Sequence, residues 1–207
     1  MAEILEALAL RRARRAYDLR PVEADVEEAL WEAVSVAPSH GNSQPTRVVV
    51  ARSAARRGAL VHALNEGNQQ WAVAAPLLAA ILAVPAHDFP QTNSDGTVRD
   101  MWAFNAGIAT GNLLAQATAM GLLAHPMAGF DEPAVRVALD IPGDVRVLVV
   151  AAIGYPGRAD SLPDDLRKKE DIPQERVPRT ALVADDSWHE SQAIGWREWR
   201  KRLAEGH

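Results

Sequence analysis

Four guanidinium groups fall within five residues near the start of the chain, on Arg11, Arg12, Arg14 and Arg15. Guanidinium binds phosphate oxygens through paired N–H donors, and each charge-assisted hydrogen bond contributes about 1.5–3 kcal/mol. Because the whole chain carries a net charge of -5, this positive charge is local and favours a small anionic ligand such as a phosphate. The residues alone leave a second interpretation open, a solvated basic turn that pairs with the acidic helix after it.

Two further segments are rich in hydrogen-bonding groups. The loop from Ala37 to Pro45 (APSHGNSQP) is bounded by two prolines and holds several small polar side chains. Such a loop can border a planar polar ring, or it can be a helix-to-strand turn whose side chains bond only their own backbone. In the segment HPMAGFD, the N–H groups of Ala128 and Gly129 are additional donors, and the glycine allows a ligand to approach closely.

Composition narrows the classes of function. The length of 207 residues, with 48% hydrophobic and 24% charged content, favours one domain with a sizeable core. The acidic balance argues against a nucleic-acid binder and against a membrane-surface binder. No cysteine is present, so disulfides and thiolate metal sites are excluded, and the six histidines lack the spacing of a zinc site. Since the N-terminus lacks a signal-peptide pattern, the sequence predicts a cytoplasmic protein.

The hydrophobic pattern predicts strands that alternate with helices. Apolar runs without alternation indicate strands buried on both faces. The stretch from 100 to 123 carries little charge on any face, which predicts a helix buried all round rather than a membrane span, because polar residues interrupt it. This order indicates a mixed α/β or α+β sandwich with one sheet covered by helices. The predicted strands are 46–51, 77–84, 125–127 and 145–155, the predicted helices are 22–37, 53–66, 100–123, 131–140 and 187–203, and 85–99 is predicted to be a loop.

Five segments, taken in this order, resemble the nitroreductase family. They are RRARRAYDLRPV, APSHGNSQPTRVVV, NQQWAVAAP, GNLLAQATAMGLLAHPMAGFD and IPGDVRVLVVAAIGYPG, and the resemblance spans roughly residues 4–180. It implies an α+β nitroreductase-like fold, in which helices cover a central mixed or antiparallel sheet and the long buried helix lies at a dimer interface. It also implies an FMN-binding domain over residues 1–182, with a C-terminal extension over 183–207 that packs on the dimer partner.

The resemblance implies a site for FMN, residue by residue. The residues that match those holding the phosphate and ribityl end are Arg11, Arg12, Arg15 and Arg176. The residues that match the loop reaching the partner subunit's isoalloxazine are Pro38, Ser39, His40 and Asn42. At the ring itself, Asn68 matches a side chain at the pyrimidine edge, Asn105 matches a flavin-facing side chain, and the amides of Ala128 and Gly129 match those at N5 and O4. Three departures bear on flavin affinity: Ala13 replaces a usual serine, Gln174 a common lysine, and Trp71 a lysine of some members.

The implied activity needs no catalytic side chain, because the flavin carries the chemistry. A homodimer with shared active sites would take hydride from NADPH or NADH and reduce a small-molecule acceptor, such as a nitroaromatic or a quinone, by a ping-pong mechanism. The chain has no G-x-G-x-x-G motif after a strand, so a separate dinucleotide-binding domain is not expected. Two alternatives stay open. One is specialised flavin chemistry on the same fold, either flavin fragmentation or reductive dehalogenation, with residues 85–104 as a candidate lid. The other is a flavin-binding protein without catalytic turnover.

Overall fold

The computed structural model describes residues 3–170 and 172–205. The chain divides into two compact units, Met1–Glu170 and Asp171–His207. The expected boundary at residue 182 stays a prediction. Within the first unit, the last residue of helix α7 (Asp164–Glu170) accepts a hydrogen bond from Arg15, near the other end of that unit.

The first unit is built on a four-stranded sheet in which every neighbouring pair is antiparallel. The strands are β1 (Thr46–Val50), β2 (Leu77–Ala83), β5 (Leu123–Met127) and β6 (Arg146–Gly154), in the order β1-β2-β6-β5. All seven residues of β2 are buried, which agrees with the prediction of an apolar strand covered on both faces. A separate two-stranded hairpin, β3 (Gln91–Thr92) and β4 (Val98–Arg99), lies where the sequence predicted a loop.

Two layers of helices cover the sheet, one on each face. One core contains Leu78 and Val150 of the sheet together with Leu60 of α3 (Ala54–His62) and Trp71 of α4 (Glu66–Ala72). The other core packs the opposite side chains of the same strands against α2 (Ala24–Ser35) and α5 (Trp102–Ala119). Short helices α1 (Glu6–Leu10) and α6 (Glu132–Leu139) complete the two layers.

Two predicted helices differ from the structure. The single helix expected over 53–66 is wrong: α3 ends at His62, and α4 begins after Asn65, whose side chain accepts the N–H of Asn68 as an N-cap. Helix α5 is also shorter than expected, and within one chain it is not buried all round. Its inner face is buried, whereas Phe104 on the outer face is 61% exposed.

The second unit is small. It contains α8 (Arg179–Leu182), a 3-10 turn at Glu190–Ala193, and α9 (Trp196–Ala204). Helix α9 overlaps only the second half of the helix expected over 187–203. Among the residues that the structure describes, no helix is long and apolar enough to cross a membrane.

Candidate functional site

The arginine segment runs in extended form from the end of α1 and is anchored at its far end. Tyr17 forms a bridge with Pro156, and the Gly157 N–H donates to the Ala16 carbonyl at 2.9 Å. A side chain at Gly157 would overlap the backbone of Tyr17, so glycine permits this close approach. The guanidinium groups therefore project from a main chain that is held against the sheet.

Arg15 lies between a carboxylate and an aromatic ring. Its guanidinium forms an ion pair with Glu170 at 3.3 Å, and its Cζ lies 6.0 Å from the centroid of the Trp71 ring. Trp71 is 2% exposed and stacks on Tyr17 with a centroid distance of 6.3 Å. At the position where some family members have a lysine, this chain thus has a core residue.

His125 joins the arginine segment to strand β5. Its ring lies 4.5 Å from that of Trp71, and its Nδ1 lies 3.0 Å from the Arg14 carbonyl oxygen. Burial lowers the pKa of His125, and the nearby Arg15 lowers it further, although the bond to the Arg14 carbonyl opposes the shift. The lowered pKa favours the uncharged ring at neutral pH. Its Nδ1 carries the proton and donates it, because the carbonyl can only accept. Burial also raises the pKa of the Tyr17 hydroxyl, which donates to the Ala152 carbonyl.

The Ala128–Gly129 turn follows β5 and meets α4. The Gly129 carbonyl accepts from the Asn65 N–H at 2.9 Å and from the Asn68 Nδ2 at 3.2 Å. A Cβ atom at Gly129 would overlap the amide of Asn65, so only glycine fits. A cleft of about 590 Å³ lies against this turn. Helix α4 thus links three predicted parts of the site: its Trp71 lies against Arg15, and its Asn68 bonds the turn at Gly129.

The loop at 38–44 forms a second cluster on the side of α5. Three of its residues have left-handed backbone conformations: Gly41 (φ 58), Asn42 (φ 56) and Gln44 (φ 46). The Gln44 N–H donates to the Ser39 Oγ at 2.9 Å. A Cβ atom at Gly41 would come within 2.7 Å of the Phe89 ring, so this glycine serves both the turn and the packing. A cavity of about 260 Å³, lined in part by Pro38 and Ser39, adjoins the loop.

Asn105 ties this loop to the body of the unit. It is 1% exposed, its Oδ1 accepts the His40 N–H at 3.0 Å, and its Nδ2 lies 3.5 Å from both Ser43 Oγ and Asp88 Oδ1. The Asp88 carboxylate also accepts the N–H of Met101, the residue before α5, at 2.6 Å and that of Trp102, the first residue of α5, at 2.9 Å. The Asn105 amide thus bonds the loop backbone within one chain, and its predicted contact with the flavin stays a prediction.

The remaining predicted residues fall in different places. The His40 Nε2 lies 2.9 Å from the Gln91 Nε2 of the hairpin, which connects the loop at 38–44 with β3. The Arg12 guanidinium donates to carbonyls of its own segment, those of Ala9 and Arg11, both at 3.0 Å. Arg176 belongs to the second unit, where it donates to the Gln174 Oε1 at 3.1 Å. Sequence reasoning missed Glu170 and Asp88, because neither lies in a local motif with its partners.

Comparison with known proteins identifies relatives over most of the chain. The sequence profile of the nitroreductase family matches residues 8–72 and 55–155. A Streptomyces griseus protein, provisionally named NADH dehydrogenase/NAD(P)H nitroreductase, is 33% identical over 166 residues, covering 72% of this chain and 84% of the relative. A crystal structure of an oxidoreductase containing FMN superposes with a TM-score of 0.79 at 29% identity, covering 91% of this chain and 94% of that chain.

A second solved structure supports the fold. A provisionally assigned Desulfovibrio desulfuricans nitroreductase in complex with FMN superposes with a TM-score of 0.69 at 20% identity, covering 89% of this chain and 96% of that chain. The predicted α+β nitroreductase-like fold, with an antiparallel sheet covered by helices, is therefore confirmed.

Proposed function

The chain belongs to the nitroreductase family of oxidoreductases, and on that premise we propose that it binds FMN, takes hydride from NADPH or NADH, and reduces small electron-poor acceptors such as nitroaromatics and quinones. One observation carries the proposal: the arginine segment and the turn at Gly129 are both tied to helix α4, Arg15 through the Trp71 ring and Gly129 through Asn68. A short helix thus links an anion-binding end with a donor-rich end.

The residues present fit FMN. A phosphate carries nearly two negative charges at neutral pH, and the local positive charge of Arg11, Arg12 and Arg15 matches it. At the other end, a cleft of about 590 Å³ lies against the Ala128–Gly129 turn, where a flat ring could lie beside the backbone. Asn68, which already bonds the Gly129 carbonyl, would meet the pyrimidine edge of that ring.

The chain's own residues would bind and orient the cofactor. FMN, when bound, supplies the hydride transfer. The arginines hold its phosphate, while the amides of Ala128 and Gly129 donate to the ring edge and stabilise negative charge there. Buried Tyr17 and Trp71 exclude water beneath Arg15, which strengthens its attraction for an anion because the local dielectric constant is low. No side chain is required as an acid or base.

We further propose a homodimer in which both subunits build each site. Within one chain, the loop at 38–44 is bonded to α5 on one helix-covered side of the sheet, and Arg15 lies against Trp71, which belongs to the core on the other side. The loop residues Pro38, Ser39, His40 and Asn42 would then reach the partner's flavin. The apolar outer face of α5 and the exposed leucines of α1 would be covered by an obligate interface of about 2,000 Å² or more.

A steady-state assay tests the proposed function. After incubation with FMN and desalting, the protein should retain the flavin and oxidise NADPH or NADH with a quinone or nitroaromatic acceptor. Double-reciprocal plots should be parallel, as ping-pong kinetics requires. Arg15→Ala should lose the flavin on desalting, whereas Arg56→Ala, which removes an arginine bonded to the Ala138 carbonyl, should keep it. Flavin retention without turnover would indicate a binding protein, and intersecting lines would contradict the ping-pong order.

A further inference from the structure

Glu170 has a nearly inaccessible carboxylate, with 3% of its side chain exposed. Both oxygens accept the backbone N–H of Arg15, at 3.0 and 3.1 Å, and Oε1 also accepts from the Arg15 Nη1 at 3.3 Å. The two residues are separated by 155 positions in the sequence. This single carboxylate therefore holds both the main chain and the side chain of one arginine.

The contact with the main chain distinguishes Glu170 from an ordinary counter-ion. Burying a carboxylate is costly unless hydrogen bonds and an opposite charge compensate it. Here the compensation comes from the two groups that set where the Arg15 guanidinium lies, its own backbone N–H and its Nη1. A surface ion pair would constrain only the two flexible side chains.

Trp71 limits the Arg15 side chain from another direction, with its ring centroid 6.0 Å from Cζ. A guanidinium has five N–H donors in all, and the bond to Glu170 engages Nη1. Donors therefore remain for a phosphate while the carboxylate stays in place. A side chain that is already ordered loses less entropy when it binds a ligand.

We infer that Glu170 is a positioning residue for Arg15, holding its guanidinium in place for the phosphate of FMN. The inference rests on the proposed function, because it requires FMN to bind at the arginine segment. Glu170 acts through Arg15 and touches neither the flavin ring nor the substrate.

The test compares FMN with riboflavin, which has the same ring but no phosphate. Dissociation constants are measured by flavin fluorescence quenching for the wild type, Glu170→Ala, Glu170→Gln and a control, Glu27→Ala. As a whole residue Glu27 is as little exposed as Glu170, 8% in each case, and its carboxylate pairs with Arg52 instead of the arginine segment. The ratio of riboflavin to FMN dissociation constants isolates the phosphate contribution from any general loss of stability.

We expect the wild type to bind FMN more tightly than riboflavin. Glu170→Ala should bind FMN at least about tenfold more weakly than the wild type, which corresponds to one charge-assisted hydrogen bond. Its affinity for riboflavin should stay within about twofold of the wild type. Glu170→Gln should restore part of the preference, because its amide oxygen still accepts the Arg15 N–H. Glu27→Ala should leave the ratio unchanged.

Several results would overturn the inference while the proposed function stands. They are an unchanged ratio in Glu170→Ala, an equal loss of both ligands, or tighter FMN binding in the two variants, which would make the carboxylate a competitor of the phosphate. If Glu170→Ala does not fold, Glu170→Gln decides: its ratio must fall by about threefold or more. A wild type that binds no FMN would overturn both the proposed function and the inference.

Discussion

Asn105→Ala should release the loop at 38–44 from α5. The buried amide oxygen of Asn105 accepts the His40 N–H at 3.0 Å, whereas its two other contacts are at 3.5 Å, the limit of a hydrogen bond. The substitution therefore removes one good hydrogen bond and leaves a backbone donor without its acceptor. Asn42 and Gln44 have left-handed conformations that are costly for residues other than glycine, and the Asn105 bond to the loop helps to hold them.

The size of the effect follows from these contacts. Losing a buried acceptor costs about 1–3 kcal/mol, and alanine recovers about 0.6 kcal/mol in helix propensity. Asn105→Ala should thus lower the free energy of unfolding by about 0.5–2.5 kcal/mol. Asn112→Ala is the matched control on the same helix: it gains the same propensity and loses one bond, from Nδ2 to the Ala33 carbonyl at 3.1 Å, so its net change should stay below about 1 kcal/mol.

The assay pairs urea unfolding with FMN titration. Asn105→Ala should weaken FMN binding as well as stability, while Asn112→Ala should leave FMN affinity close to that of the wild type. Equal unfolding free energies for the two variants would refute the argument that Asn105 anchors the loop. A destabilised Asn105→Ala with unchanged FMN affinity would show instead that the loop does not contribute to the flavin site.

Other substitutions and a titration test separate parts of the structure. Gly129→Ala should lower the free energy of unfolding by about 1–3 kcal/mol and abolish FMN retention, because its Cβ would displace the Asn65 side chain that caps α4. As a control, Gly58→Ala lies in open space on α3 and should raise the free energy of unfolding by about 0.5–1 kcal/mol. Burial lowers the pKa of His125, so the unfolded chain takes up this proton first and stability should fall as the pH drops below the ordinary value of 6.5; an NMR titration midpoint at or above that value would contradict the assignment. Phe104→Arg should convert the proposed dimer into a monomer in gel filtration, since Phe104 is 61% exposed on the outer face of α5; a persistent dimer would place the interface elsewhere.

The sequence predicted the sheet well and some of the helices less well. Strands β1, β2 and β6 lie within a residue or two of their predicted bounds, because continuous apolar runs flanked by turn residues specify buried strands locally. The break at Asn65 was not predicted, since it depends on the side-chain cap together with the distant bridge between Leu64 and Phe130. The hairpin at 91–99 was read as a loop because its strands have only two residues each.

The candidate site was predictable where it lies in contiguous segments. The arginine segment and the 128–129 turn could be found in this way, and the structure brings Asn68 to Gly129. Glu170 and Asp88 could not be found, because their partners are 155 and 13–17 residues away and no spacing rule relates them. The exact contacts of each residue with a flavin stay predictions.

In the proposed function, the chain binds FMN and passes electrons through it. An anaerobic absorbance spectrum tests this most directly: the protein is soaked in FMN, desalted, and recorded before and after addition of NADPH or NADH. We predict a retained oxidised flavin that bleaches when the nicotinamide is added. The absence of retained flavin would contradict the assignment of the arginine segment and the Gly129 turn to the cofactor, and a retained flavin that stays oxidised would contradict the proposed electron donor.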